Sequence, residues 1–479
     1  MDSVQQQTDV SEIWSAFKDK FLEFVDKHIP FKERRIKASS EQWINDDILI
    51  KMHQRDYLHQ KALQHNSDYY WKLYKRARNL VVSKIREAKR TFVDEAINQA
   101  QTKPKDMWTR LKQFLPSQCN KIQTLYLQID DTCISQNDQI ADAFNYFFCN
   151  IGHNLGKNFD DKLPDVEQLM SNGSFKIQKM SVDFVTKQIS GMSTAKATWL
   201  DGISVKLLKL TSNAIVDILT CVFNFSMETN NFENDWKRAK VSPIFKNVDE
   251  HMANNYRPVS VLPIISKIIE KHVFNSFYQS ENHLITSGQS GFRPKHSSET
   301  ALNCLIDRCL KNIDQGKLTG VPFIDLSKAF DTVNHNVLIH KLKSFGICEN
   351  TVSWFKSYLS SREKSVGWKG VISKPNNITI GVPQGSILGP LFFILFVNDY
   401  PKCLKYSNVT IYADDTSQDA TNKYVDTIEK KLICDLKSSM NWMNENKLTM
   451  NLKKTLYVGW NKTDCQNVEK LILELKMLF

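Results

Sequence analysis

The chain has 479 residues, 42% of them hydrophobic, with 63 Lys and Arg against 52 Asp and Glu, a net charge of +11. Those figures exclude a disordered tail or a small disulfide scaffold and leave room for two or three packed domains. The positive balance favours a polyanionic partner such as nucleic acid over an acidic-protein role. The ten cysteines are scattered without a C-x-x-C pair, which disfavours zinc ligation and a disulfide framework and fits a reducing compartment. The opening "MDSVQQQTDVSEIW" is polar and acidic, unlike a secretory leader, and "LFFILFV" (391–397) is too short to span a bilayer. The expectation is a cytoplasmic or nuclear protein, not secreted and without a membrane partner.

In chain order, "SEIWSAFKDKFLEFVDKHIP" sets Ile13, Phe17, Phe21, Phe24 and Val25 at helical spacing, and Pro30 stops the pattern. The stretch "YYWKLYKRARNLVVSKIREAKRTFVDEAI" (69–97) interleaves aromatics with Lys and Arg. Between Lys51 and Lys112 there are 15 Lys and Arg against 6 Asp and Glu, a net of +9, so most of the chain's excess charge sits there. A basic helix gripping nucleic-acid phosphates and an amphipathic helix with a solvated cationic face both fit this pattern. "NDQIADAFNYFFCNIGHNLG" (137–156) reads as a helix whose stripe Ile140, Phe144, Phe147, Phe148, Ile151 and Leu155 faces a core. The polar segment 157–176, broken by Pro164 and Gly173, reads as a linker. The expected division is therefore a helical basic N-terminal region over 1–156, a linker, a helical extension over 177–225 and a mixed α/β domain over 226–479.

In that last domain "RAKVSPIFK", "GVPFIDL" and "NVTIYAD" read as strands, and "PIISKIIEKHVFNSFYQS", "SETALNCLIDRCLKNI" and "DTIEKKLICDLKSSMNWMNEN" as helices. Two strands end in acid. Asp325 closes one apolar run, with Asp331 six residues on, and Asp414 and Asp415 stand side by side after another. Adjacent carboxylates repel, and burying either is costly without a compensating cation. A solvated acidic turn is the ordinary explanation. A divalent metal site, with carboxylates from separate strands aimed at one point as two-metal phosphoryl transfer requires, is the other.

Five stretches in order decide between them: "WKRAKVSPIFKNVDEHMANNYRPVSVLPIISKIIEK" (236–271), "SGQSGFRPKHSSETAL" (287–302), "FIDLSKAFDTVNHNVLIHKL" (323–342), "GVPQGSILGPLFFILFVNDYP" (381–401) and "YADDT" (412–416). Together with "WMNENKLTMNLKKT" (442–455), this series resembles the reverse transcriptases of non-LTR, LINE-type retrotransposons, particularly the jockey and chicken-repeat-like groups. The resemblance implies an α/β (α+β) right-hand polymerase of fingers and palm, with a truncated thumb from about 440 and no preceding endonuclease domain. It implies an RNA-directed DNA polymerase extending a primer 3′-hydroxyl on an RNA template with dNTPs. It also implies a DNA or RNA primer and two Mg²⁺ ions, which Mn²⁺ can replace, and binding of element RNA through 51–112. A catalytically inactive remnant that only binds RNA is the alternative.

By the same resemblance Asp325, Asp414 and Asp415 are the metal carboxylates, and the backbone carbonyl of Leu326 joins them. Lys246 and Arg257 clamp the triphosphate, while Gln384 and Gly385 contact the incoming nucleotide. Phe330 lies under the sugar and rejects a ribose 2′-hydroxyl, a position that ordinary core packing would also explain. Lys454 reaches the leaving pyrophosphate, with Lys453 its neighbour and competitor. Arg293 and Lys295 line the template path, and Asp331 is a structural acid rather than a ligand. Three residues depart from the family pattern: Trp199 where a tight turn has glycine, Pro322 inside the strand leading to Asp325, and Lys364 where Gln is usual.

Overall fold

The computed structural model describes residues 9–29, 43–99, 126–129, 132–156, 159, 162–166, 175–195, 199, 201–246, 248–452 and 454–460. The chain separates into two compact units, residues 23–124 and residues 1–22 with 125–479.

The smaller unit is built on a helical hairpin, α2 (Asp46–His65) and α3 (Asp68–Gln99). Asn45 caps α2 by accepting the Ile48 amide at 3.0 Å, and Asn66 ends it in the left-handed conformation that Asn tolerates. Lys72, Lys75, Arg76, Arg78, Arg86 and Arg90 are exposed along α3, as the interleaved sequence requires. Helix α1 (Val10–His28) begins in the larger unit, where Trp14 and Lys18 both bond the Asp235 carboxylate.

The larger unit is a mixed helix and sheet fold organised by two main sheets. A hairpin of β1 (Leu127–Ile129) and β2 (Thr132–Ile134) leads to α4 (Asn137–Gly156), α5 (Val182–Gly191), α6 (Val205–Glu228) and the short α7 (Asn234–Lys237). Then come β3 (Ala239–Phe245), β4 (Tyr256–Val261), α8 (Ile264–Glu281), α9 (Ser298–Asp314), β5 (Leu318–Ile324) and α10 (Ala329–Thr332). Helices α11 (His335–Ser344) and α12 (Glu349–Leu359) precede β6 (Arg362–Trp368), β7 (Val371–Ile372) and β8 (Asn376–Ile378). The buried α13 (Leu388–Phe396) is followed by β9 (Asn408–Tyr412), β10 (Asp415–Asn422), α14 (Val425–Glu445) and β11 (Leu456–Trp460).

One sheet runs β11–β5–β10–β9, all antiparallel. Helix α9 seals one face through Leu305, Cys309 and Val321, and α14 the other through Ile428 and Leu432 against Ala420. The second sheet runs β4–β3–β6–β7, with β8 also on β6 and only β3–β6 parallel.

Three expectations change. The apolar stripe of α4 packs on Val241, Tyr256 and Val366 of the second sheet, so 137–156 belongs to the larger unit and not to an N-terminal region ending at 156. Most of the expected linker lies outside the described residues, but Phe175 is buried, bridges Ile347 and meets Phe277 edge-on, so its end is packed structure. Residues 425–460 are not set apart as a truncated thumb from 440, since α14 and β11 complete the first sheet. Pro322 sits in a central strand, and the β5–β10 pairing lapses between Phe323–Ser417 and Gly320–Ala420, where its missing amide costs the ladder a bond.

Candidate active site

The β9–β10 hairpin pairs Tyr412 with Asp415 and leaves Ala413 and Asp414 as its two central residues. Ala413 has φ +61°, the conformation that two-residue hairpins ask of their first central residue and usually assign to Gly. Strand β5 lies on the other side of β10, pairing Ile324 with Thr416, so Asp325 leaves the sheet at the same end as the Asp414–Asp415 turn. Adjacent antiparallel strands thus bring together carboxylates 89 and 90 residues apart in sequence. Burial first, and the Asp415 and Asp325 charges next, push the Asp414 carboxyl above the usual carboxylate range, while its own amide and Arg257 pull it down.

Asp325 is fixed from the far side. Asn451 donates its side-chain amide to Asp325 Oδ2 at 2.8 Å and its backbone amide to the Asp325 carbonyl at 2.8 Å. Ser327 N bonds the Thr449 carbonyl, and Leu326 bridges Met450 between these bonds. In an antiparallel pair that alternation turns the Leu326 carbonyl away from the Met450 segment. Lys454 Nζ stands 3.5 Å from Asp325 Oδ2. Behind this segment lies a cavity of about 1150 Å³ lined by Met440, Met443, Leu448 and Met450 with Leu155 and Leu163.

The cations gather at one place. Lys246 follows β3, and Arg257 lies opposite Ile244 on β4. Burial, then the charges of Lys454 and Arg257, lower the Lys246 pKa. Lys328 is lowered first by burial and then by Lys246, Lys454 and Arg257, with Asp331 opposing, and its Nζ bonds the Asn254 carbonyl at 3.1 Å. Sequence reasoning did not single out Lys328 or Asn451.

Gln384 donates to Asp331 Oδ2 at 2.8 Å, so its amide is anchored on α10. Asp331 is 4% exposed, its carboxyl pushed up by burial against the opposing charges of Lys364 and Lys328, which makes it structural. That accounts for Lys364: the unusual lysine on β6 is a buried cation facing a buried acid. Gly385, at φ +125°, lies so close to the Ser260 carbonyl that a side chain would collide with it. Phe330 stacks on Phe393 at 4.8 Å and meets Phe292 edge-on at 5.7 Å. Arg293 spends its guanidinium on the Thr286 and Gln289 carbonyls rather than facing outward. Trp199 is buried. Lys453 lies outside the described residues.

Among the described residues no three His, Cys, Asp or Glu side chains enclose a metal ion by themselves. The carboxylates at the sheet end nonetheless offer only oxygen, and burial, with the Asp415 and Asp325 charges beside it, raises the Asp414 carboxyl. That chemistry fits Mg²⁺, which keeps most of its waters and takes only one or two carboxylates per ion. No helix among the described residues is long and apolar enough to cross a membrane.

Residues 244–467 match the family model described as "Reverse transcriptase (RNA-dependent DNA polymerase)". The chain is 30% identical over 237 residues to the "Probable RNA-directed DNA polymerase from transposon BS" of Drosophila melanogaster, covering 48% of this chain and 25% of that protein. It is 32% identical over 228 residues to the corresponding X-element protein of the same organism (46% and 24%). To the "RNA-directed DNA polymerase from mobile element jockey" of Drosophila melanogaster it is 28% identical over 254 residues (51% and 28%). The chain spans about a quarter of the length of these curated relatives. Residues 244–467 thus carry a likeness to reverse transcriptases, those of jockey-type mobile elements among them.

Proposed function

We propose that the chain is an RNA-directed DNA polymerase, extending a primer 3′-hydroxyl on an RNA template from dNTPs. The convergence of Asp325, Asp414 and Asp415 at one sheet end, inside the matched domain, carries this reading. Asp325 and Asp414, with Asp415 and the Leu326 carbonyl, would hold two divalent ions. Those ions, when bound, activate the attacking hydroxyl and neutralise charge on the leaving pyrophosphate.

The protein's own groups do the rest. Asn451 keeps the Asp325 carboxylate aimed at the turn. Lys246 and Arg257 bind the triphosphate, Arg through a bidentate fork and Lys as a point charge. Lys454 exchanges Asp325 for the departing pyrophosphate. Gly385 lets the backbone approach the nucleotide, and Gln384, braced on Asp331, stiffens that loop. Phe330, held against Phe393, presents a rigid ring where a ribose 2′-hydroxyl would clash. The exposed basic face of α3 binds the phosphates of element RNA.

The test is primer extension on an RNA template with dNTPs and Mg²⁺, beside the Asp414→Asn/Asp415→Asn double variant. Extension by the unaltered chain that vanishes in the variant supports the reading. A folded chain that binds RNA and extends nothing in either form would leave an RNA-binding remnant in its place.

A further inference from the structure

The Ala413–Asp414 turn is held by a segment from outside the sheet. Residues 288–291 run parallel to the end of β9. Ile411 N bonds the Gly288 carbonyl and Ser290 N bonds the Ile411 carbonyl, both at 2.8 Å. Gln289, 1% exposed, turns inward from this segment. Its Oε1 accepts the Ala413 amide at 3.1 Å and the Gly291 amide at 2.7 Å. Gly291 packs so tightly on Ala413 that any side chain there would collide with the Ala413 backbone. The clamped residue is the one the hairpin strains, since a non-glycine residue at positive φ persists only where its surroundings over-determine it. Gln289 Nε2 is buried without a partner, so the acceptor oxygen is the functional half of this amide.

We propose that Gln289 is a positioning residue of the metal site: its oxygen locks Ala413 in the left-handed conformation and thereby sets the direction of the Asp414 carboxylate. The inference rests on the polymerase reading above. Without the oxygen, Ala413 relaxes toward negative φ, the turn opens, and Asp414 no longer faces Asp325. Arg293, which bonds the Gln289 and Thr286 carbonyls, fastens the segment from behind.

The test uses the full chain and Mn²⁺ as the probe, titrated by electron paramagnetic resonance without nucleotide or nucleic acid. Extension rate and primer–template affinity are measured alongside. Gln289→Met keeps the volume and removes the acceptor. The expected result is a Mn²⁺ midpoint raised about tenfold and kcat lowered about a hundredfold, with primer–template Kd within twofold. Ala413→Gly makes positive φ intrinsically accessible. The Gln289→Met/Ala413→Gly double variant therefore recovers at least half of the lost Mn²⁺ affinity, a rescue that a general packing defect would not show. A folded Gln289→Met chain with an unchanged Mn²⁺ midpoint overturns the clamp, as does a double variant no better than the single. Should Gln289→Met alone fail to fold, the double variant must fold and bind Mn²⁺, and its failure overturns the proposal equally. Asp414→Asn separates the two levels. If it binds Mn²⁺ as the unaltered chain does, the metal reading falls and takes the clamp with it; if it loses Mn²⁺ while Gln289→Met does not, only the clamp falls.

Discussion

The two units of the chain use charge in opposite ways. On the α2–α3 hairpin the cations stay at the surface: Lys72, Lys75, Arg76, Arg78, Arg86 and Arg90 are exposed, and others are half-buried, such as Lys84 beside Glu87 and Lys89 over the Trp43 ring. In the larger unit some charges are drawn inside and answered by a partner of opposite sign. Arg308 of α9 grips Asp419 of β10, which is 1% exposed, and also bonds Thr410 of β9. Lys341 is fully buried against Asp399 and the Phe396 carbonyl, and burial lowers its pKa to about 8. Exposed charges act additively and are screened by salt, whereas buried ones fix geometry and are costly to leave unpaired. The hairpin is suited to holding a polyanion of any sequence, and the sheets to aiming a few groups at one point.

Substitutions sharpen this contrast, beginning with the greatest loss. Asp414→Asn/Asp415→Asn should lower primer extension by at least about a thousandfold, roughly 4 kcal/mol of barrier, with thermal stability unchanged or raised because the repelling pair is gone. Arg308→Ala strands Asp419 and should cost about 3 kcal/mol in urea unfolding, less than for a fully enclosed pair because Arg308 is partly exposed. If it cost no more than a surface change, the distinction between the units would be lost.

Asp201 gives a pH signature. Burial raises its pKa to about 6, despite the Ile203 amide and Lys18, with Asp235 adding to the rise. The folded state therefore favours the protonated form. That contribution is full below the unfolded value near 4 and is lost as pH rises towards 6. Asp201→Asn keeps an acceptor for Ile203 and should be more stable than the unaltered chain above pH 6, by up to about 2 kcal/mol. The gap should close as pH falls to 4, read as the difference between two unfolding curves at each pH. The smallest effect belongs to the hairpin. Arg76→Gln/Arg86→Gln/Arg90→Gln should leave unfolding within about 0.5 kcal/mol and lower the salt slope of single-stranded RNA binding by about 0.7 per charge. An unchanged slope would remove nucleic acid from that face.

The sequence carried the elements further than the arrangement. Helical spacing located α1, α3 and α4 to within two residues at either end, and the stripe from Ile140 to Leu155 is the one that packs. It did not say what the stripe packs against, because the partners Val241, Tyr256 and Val366 lie about 90 to 230 positions away and have no periodic relation to it. The carboxylates were legible as acids ending apolar strands. Their supports were not: Asn451 and Gln289 act through single oxygens or amides on strands 124 to 126 residues distant, and ordinary polar residues in loops leave no pattern to find.

The packing of α4 sets the limits of any smaller piece. Gly152 approaches the Asp331 carbonyl so closely that an added Cβ would lie 2.6 Å from it, and Asp331 in turn accepts from Gln384. A helix nearly a hundred residues upstream of the matched segment is therefore packed against the support of the Gln384 loop. Trimming the chain to the boundary that family likeness draws at residue 244 would remove α4 with Val241, bare Tyr256 and Val366, and take away a support of the Gln384 loop. As a physical object that can be cut out and handled, the packed unit around the matched segment starts no later than the β1–β2 hairpin.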